Sequence, residues 1–294
     1  MDITYNDDHL HKEAKHVIHL EKRERIEFAN QARWINHQAC ALIRNRMKSL
    51  TLLPQIDEAL CCIIVGEGGV GKSSLMRRIA KDCNNLAQRK MEGSIHVELR
   101  VGADPTLVNV IGAICEKFGT SGFNPRKDDI PPELVLLIRA RGIKILLIDE
   151  IQHVLVANRT EQKKILSFFK NLSGPPVSLS IIATGTQEAL NAITSESPLK
   201  SRFQVFELLR WTDGEELRAF LASYEQFLPL KLPSNLASQE IVHFFLTSFD
   251  PTTRQIVNRL KWATMLALLE GTEKIELDNL TRANHIPDIT EAYL

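Results

Sequence analysis

The residues most able to do chemistry are Gly66-Glu67-Gly68-Gly69-Val70-Gly71-Lys72-Ser73, which fit the spacing G-x-x-x-x-G-K-[ST]. A loop of this kind must curl around phosphate oxygens and aim consecutive backbone N–H groups inward. Glycine is needed where a Cβ would block that approach or where φ is positive. The helix that opens at Gly71 adds the positive end of its dipole. On this reading Lys72 reaches the β- and γ-phosphates of a nucleoside triphosphate, the Ser73 hydroxyl ligates Mg²⁺, and Glu67, Val70 and Ser74 complete the cofactor-binding segment.

The partner motif is Ile143-Lys144-Ile145-Leu146-Leu147-Ile148-Asp149-Glu150, an apolar run that stops abruptly at two carboxylates. Placing them at the end of a buried strand is costly unless a cation waits there. Mg²⁺ meets that need: Asp149 holds the metal through its water shell, and Glu150 polarises the water that attacks the γ-phosphate.

Elements must position these groups, and the pattern supplies them. From 59 to about 208, β-branched runs alternate with helical stretches, which is the signature of βα units around a parallel sheet. Strands are expected at Leu60–Val65, Ser94–Arg100, Ile143–Ile148, Ser178–Thr184 and Gln204–Leu208, with helices near 71–82, 105–118, 131–141, 160–171 and 186–194. From Asp213 onward the strand signals vanish, and helices are expected at about 213–226, 237–248, 252–270 and 276–283, punctuated by Pro229, Pro233 and Pro251. The first 58 residues carry one helical pattern, Ile26, Phe28, Ala29, Ala32, Ile35, Ala39, Leu42, Ile43 and Met47, before Pro54. The expected division is an N-terminal helical extension for partner or oligomer docking (1–58), an α/β nucleotide-binding domain (59–210) and a small all-helical lid domain (211–294).

Composition excludes several classes. Lys plus Arg equals Asp plus Glu at 36 each, so bulk positive charge does not hold nucleic acid, and any such contact comes from a local patch or from many subunits. The five cysteines (Cys40, Cys61, Cys62, Cys83, Cys115) read as reduced thiols in a cytosolic core. His9, His11, His16 and His19 have no carboxylate or Cys at a fixed ligand spacing, which leaves a solvated helix as the plainer reading. The charged N-terminus lacks the apolar block of a secretory signal, and the apolar runs are too short for a bilayer, so a cytoplasmic location is expected.

The loop GEGGVGKSSL, the strand LLIDEIQHVL, the strand IIATGT with the following SRF, and the upstream Arg33-Trp34-Ile35 together resemble the TniB/TnsC transposition regulators, which are AAA+ ATPases of transposons, including CRISPR-associated ones. The resemblance implies an AAA+ P-loop NTPase: a parallel five-stranded sheet flanked by helices, with a small helical lid. It also implies that ATP-bound subunits assemble as a ring or filament on double-stranded DNA without sequence preference. They would link a TniQ-like target selector to a DDE transposase, with hydrolysis dismantling the assembly. Within that scheme Thr186, or second to it Thr184, senses the γ-phosphate, although Thr186 also suits a helix N-cap. Arg202 reaches into the neighbouring subunit's site, with a plain surface arginine as the alternative. Arg254, at the start of a lid helix, touches the γ-phosphate from its own chain or is a solvated residue. Arg100, Lys117, Arg126, Lys127, Arg139 and Arg141 are candidate DNA contacts, diluted by Asp128 and Asp129. The alternatives are a helicase loader or signal-transducing NTPase, and a nucleotide-binding scaffold without hydrolysis. Glu150 argues against the scaffold.

Overall fold

The apolar runs Cys61–Val65 and Ile145–Asp149 are buried along their whole length, as strands covered on both faces must be. A computed structural model describes residues 7–53, 57–86, 93–98, 105–119, 130–195 and 201–293. The described chain forms two compact units, residues 39–209 and residues 1–38 together with 210–294.

The first unit is α/β. Strands β1 (Cys61–Val65), β2 (Ser94–Glu98), β3 (Ile145–Asp149), β4 (Ser180–Gly185) and β5 (Phe203–Glu207) form one sheet in the order β2-β3-β4-β1-β5. Every pairing is parallel. Helices α3 (Gln38–Leu52), α4 (Lys72–Leu86), α5 (Leu107–Lys117), α6 (Pro132–Ala140), α7 (Arg159–Leu172) and α8 (Gln187–Ser195) flank it. Ile63, Leu146, Ile148 and Ile181 from the sheet pack with Ile111, Ile138, Ile165, Phe168 and Ile193 from the helices, each such burial contributing about 1.5–3 kcal/mol. Three cations converge on the Asp82 carboxylate: Arg44 and Lys48 of α3 fasten that helix to α4, and Arg78 pairs with Asp82 within α4.

The second unit is helical. Helices α1 (Lys12–Lys15) and α2 (Lys22–Asn30) share it with α9 (Glu215–Glu225), α10 (Gln239–Thr247), α11 (Thr253–Glu270) and α12 (Leu277–Arg282). Its core includes Ile26, Leu217, Phe220, Phe245, Ile256, Leu260 and Leu280. Arg25 is 4% exposed; it donates to Pro229 O from Nε at 3.0 Å and Nη2 at 2.7 Å, and its two Nη groups fork onto the Glu273 carboxylate. Burial works to raise the Glu273 carboxyl, but the Arg25 hydrogen bond and charge outweigh it and hold the group below its ordinary value.

Two features of the N-terminus differ from the sequence reading. The single helical pattern from Ile26 to Met47 is broken between α2 and α3. Gln31 is extended, and the Arg33 guanidinium stacks 3.9 Å from the Phe28 ring centroid while donating to Phe28 O at 3.2 Å. That local capping competes with continuing the helix. Residues 1–58 also do not stay together, since 1–38 join the C-terminal helices and the rest of α3 joins the sheet. The His-rich stretch is packed on one side, where Leu10, Ala14 and Ile18 cluster with Phe28, His11 lies against the Phe227 ring at 4.5 Å and His9 donates to Leu230 O at 3.3 Å, while His16 and His19 are exposed. Among the described residues no helix is long and apolar enough to cross a membrane.

Candidate phosphate-binding site

β1 ends at Val65 and the chain turns sharply. Gly66 N donates to Gly185 O at 3.3 Å, and Leu208 N donates to Val65 O at 2.8 Å. A Cβ at Gly66 would come 2.3 Å from Leu208 O, so only glycine fits there. Gly71, at φ 108°, supplies the left-handed backbone that leads into α4, and no atom lies within 4 Å of where its Cβ would stand. Val70 is buried and anchors the turn, while Glu67 and Gly68 face outward. Lys72, the first residue of α4, is 6% exposed and folds its Nζ onto Gly66 O at 2.7 Å and Glu67 O at 2.8 Å. Ser73 is half-buried beside it and Ser74 exposed.

The acidic pair reaches the same edge of the sheet because β4 lies between β1 and β3. Thr184 stands opposite Ile64 of β1, and Ala183 stands opposite Ile148 of β3. All strands being parallel, the loop after β1 and the carboxylates after β3 lie together at the strands' carboxyl ends, where open α/β sheets bind ligands. Thr184 is fully buried and donates its hydroxyl to Asp149 Oδ1. Glu150 N donates to Asp149 Oδ1 and to Thr184 Oγ1, each at 3.2 Å. These bonds hold Glu150 in the left-handed region, φ 62° and ψ 44°, a conformation costly for a residue with a Cβ and typical of functional sites. Gln152, on the 3₁₀ turn Ile151–Val156, donates its amide to the Glu150 carboxylate.

Chemically, the loop offers backbone N–H groups and one ammonium to phosphate oxygens. Ser73 and Asp149 offer the hard oxygen donors that Mg²⁺ prefers, so the residues present fit a Mg²⁺–nucleotide. The structure joins Thr184 rather than Thr186 to the acidic pair. Thr186 O accepts from Leu190 N at 3.2 Å at the start of α8, and its hydroxyl bonds the Glu188 carboxylate, lowering that group. Spacing alone missed Gln152; its signal was a carboxamide two residues past the acidic pair.

Arg202 lies at the opposite edge, beside the first pairing of β1 with β5. Its side chain is 14% exposed; it donates to Lys170 O at 3.1 Å, Ser173 Oγ at 2.9 Å and Glu58 at 2.8 Å. Rather than standing free to meet a neighbour, it caps the carbonyl end of α7, whose last C=O groups need donors. Arg254 is exposed on the first turn of α11 in the helical unit. Of the basic residues read as DNA contacts, Arg100, Arg126 and Lys127 lie outside the described residues. Lys117 is exposed, Arg139 donates to Pro176 O at 3.0 Å, and Arg141 donates to Phe118 O at 3.1 Å. All five cysteines are buried, and none of them forms a disulfide among the described residues. Burial pushes the Cys61 thiol up to about 11 and the Cys62 thiol up to about 12, which removes both as nucleophiles near neutral pH.

A five-stranded parallel sheet flanked by helices, with this loop after β1, defines an AAA+ fold. Solved structures of the same fold include the Aeropyrum pernix ORC2 protein in ADPNP–ADP complexes (TM-score 0.61, 16% identity, covering 88% of this chain and 71% of that one). Drosophila ORC bound to DNA matches with a TM-score of 0.61 at 10% identity over 97% of this chain and 67% of the other. Cdc6p from Pyrobaculum aerophilum matches with a TM-score of 0.58 at 12% identity over 87% and 69%. No curated protein matches the sequence. The model of the family described as bacterial TniB protein matches residues 25–213, and the chain belongs to that family.

Proposed function

We propose that this chain is a DNA-binding ATPase that regulates transposition. It binds Mg²⁺–ATP at Gly66–Ser74, assembles on duplex DNA as a ring or filament without sequence preference, and links a TniQ-like target selector to a DDE transposase. Hydrolysis then releases the assembly. The observation that carries the reading is the convergence of the loop, Lys72, Asp149, Thr184 and Glu150 at one edge of the sheet. Membership in the TniB family supports the link to transposition. ORC structures solved with nucleotide or DNA support both ligands for this fold.

In this mechanism Lys72 exchanges the carbonyls of Gly66 and Glu67 for phosphate oxygens. Ser73 and Asp149 would hold the metal, which would supply positive charge to offset the phosphates. Glu150 orients and polarises a water, and Thr184 keeps Asp149 and the Glu150 backbone in register. Neutral net charge suits a protein whose hold on DNA comes from many subunits with few phosphate contacts each.

Paired variants test the proposal. Lys72→Ala loses ATP binding and, with it, ATP-dependent retention on duplex DNA. Glu150→Gln binds ATP, turns it over at least about 100-fold more slowly, within the range for a positioned general base, and stays on DNA longer. Unchanged DNA retention in Lys72→Ala contradicts the nucleotide-gated assembly.

A further inference from the structure

Gln152 is bound on one side and deprived on the other. Its amide nitrogen donates to the Glu150 carboxylate, while its Oε1 is a buried oxygen with no donor. Turning the amide over does not relieve this, because the oxygen would then face a carboxylate. The room for this arrangement comes from Gly185 at the end of β4. A Cβ there would meet Ile151 Cγ2 at 2.9 Å, Ala189 Cβ at 3.0 Å and Gln152 Oε1 at 3.2 Å. Glu150 itself sits in a left-handed conformation, held by Asp149 and Thr184.

We propose that Gln152 is a positioning residue, a latch that holds the Glu150 carboxylate at rest and must open before Glu150 can polarise water. This rests on the ATPase reading above. The charge-assisted bond to Glu150 favours the closed latch, and the undonated carbonyl opposes it by an effect of the same order. The closed form is therefore favoured only modestly, so its opening can be driven by small changes at the neighbouring loop or at Gly185. Opening breaks no covalent bond. It gives Gln152 Oε1 access to a donor and leaves both carboxylate oxygens of Glu150 free to accept.

The test is Gln152→Met, which keeps the length and removes both donor and orphaned acceptor, with Gln152→Glu as a second variant that repels Glu150. Basal ATP turnover without DNA rises roughly three- to tenfold in both, as expected when an open form of about a tenth becomes dominant. The dissociation constant for a fluorescent ATP analogue and the melting temperature of Gln152→Met stay at wild-type values, and the gain disappears when Glu150→Gln is added. A merely structural role would lower turnover and melting temperature together. Turnover at or below wild type in a variant that binds the analogue normally overturns the latch and leaves the ATPase reading standing. A wild-type chain that neither binds nor hydrolyses ATP overturns that reading, and the latch with it.

Discussion

Thr184→Val removes one hydroxyl from a fully buried position while keeping the shape of the side chain. Two hydrogen bonds go with it: the one Thr184 donates to Asp149 Oδ1, and the one it accepts from Glu150 N at 3.2 Å. Glu150 N keeps its bond to Asp149 Oδ1, also at 3.2 Å, so no donor is orphaned and no cavity opens. The loss is thus close to one charge-assisted hydrogen bond, about 1.5–3 kcal/mol. If that bond matters equally while Asp149 and Glu150 act on ATP, turnover falls about 10- to 150-fold, because each 1.36 kcal/mol is a factor of ten. Steady-state ATPase assays with Thr184→Val and Thr186→Val side by side read this out, with analogue binding as the control for the loop. Thr186→Val touches only the start of α8 and keeps turnover within about threefold, since loss of a helix cap costs only ~0.5–2 kcal/mol of stability. The reasoning fails if Thr184→Val behaves as wild type while Thr186→Val abolishes turnover.

Arg202→Ala removes the guanidinium from Ser173 Oγ and from Lys170 O, which keeps the Ser173 hydroxyl as a donor, and is expected to cost about 2–4 kcal/mol. The exposed Glu58 end contributes little of this. A melting temperature lower by roughly 5–15 °C is the expected readout, and an unchanged melt with loss of turnover only in assembled protein would restore a role across subunits. The Arg25–Glu273 pair predicts an acid-sensitive helical unit. The folded carboxyl lies below its unfolded value, so its stabilisation is complete above the ordinary carboxylate range and is lost as pH falls through the lowered value. Glu273→Gln should flatten that limb of a stability-versus-pH curve and cost about 3–5 kcal/mol near neutrality by leaving Arg25 buried without its counter-charge; a curve parallel to wild type excludes the assignment.

The parts legible in the sequence are those set by local spacing. Gly66–Ser73 announces its loop because phosphate geometry fixes residue types at fixed intervals. The runs at 61–65 and 145–148 announce buried parallel strands because nothing polar interrupts them. Partnerships across long separations were not legible. Periodicity says nothing of Arg25 reaching Glu273, so it could not move residues 1–38 into the helical unit. The break after Asn30 depends on Arg33 stacking on Phe28, a contact that apolar spacing from Ile26 to Met47 conceals. Choosing between Thr184 and Thr186 required knowing where β4 stops: Thr184 is on the strand and reaches Asp149, whereas Thr186 lies past its end at Gly185 and opens α8. Arg202 looked free because its acceptors, Lys170 and Ser173, come from the far end of another helix.

The most direct measurement of the central claim is electron microscopy of the purified chain with duplex DNA and a slowly hydrolysed ATP analogue, beside the same mixture with ADP. Rings or spirals enclosing the duplex with the analogue, and dispersed particles with ADP or with Lys72→Ala, are expected. Particles that stay single and off the DNA with every nucleotide contradict it.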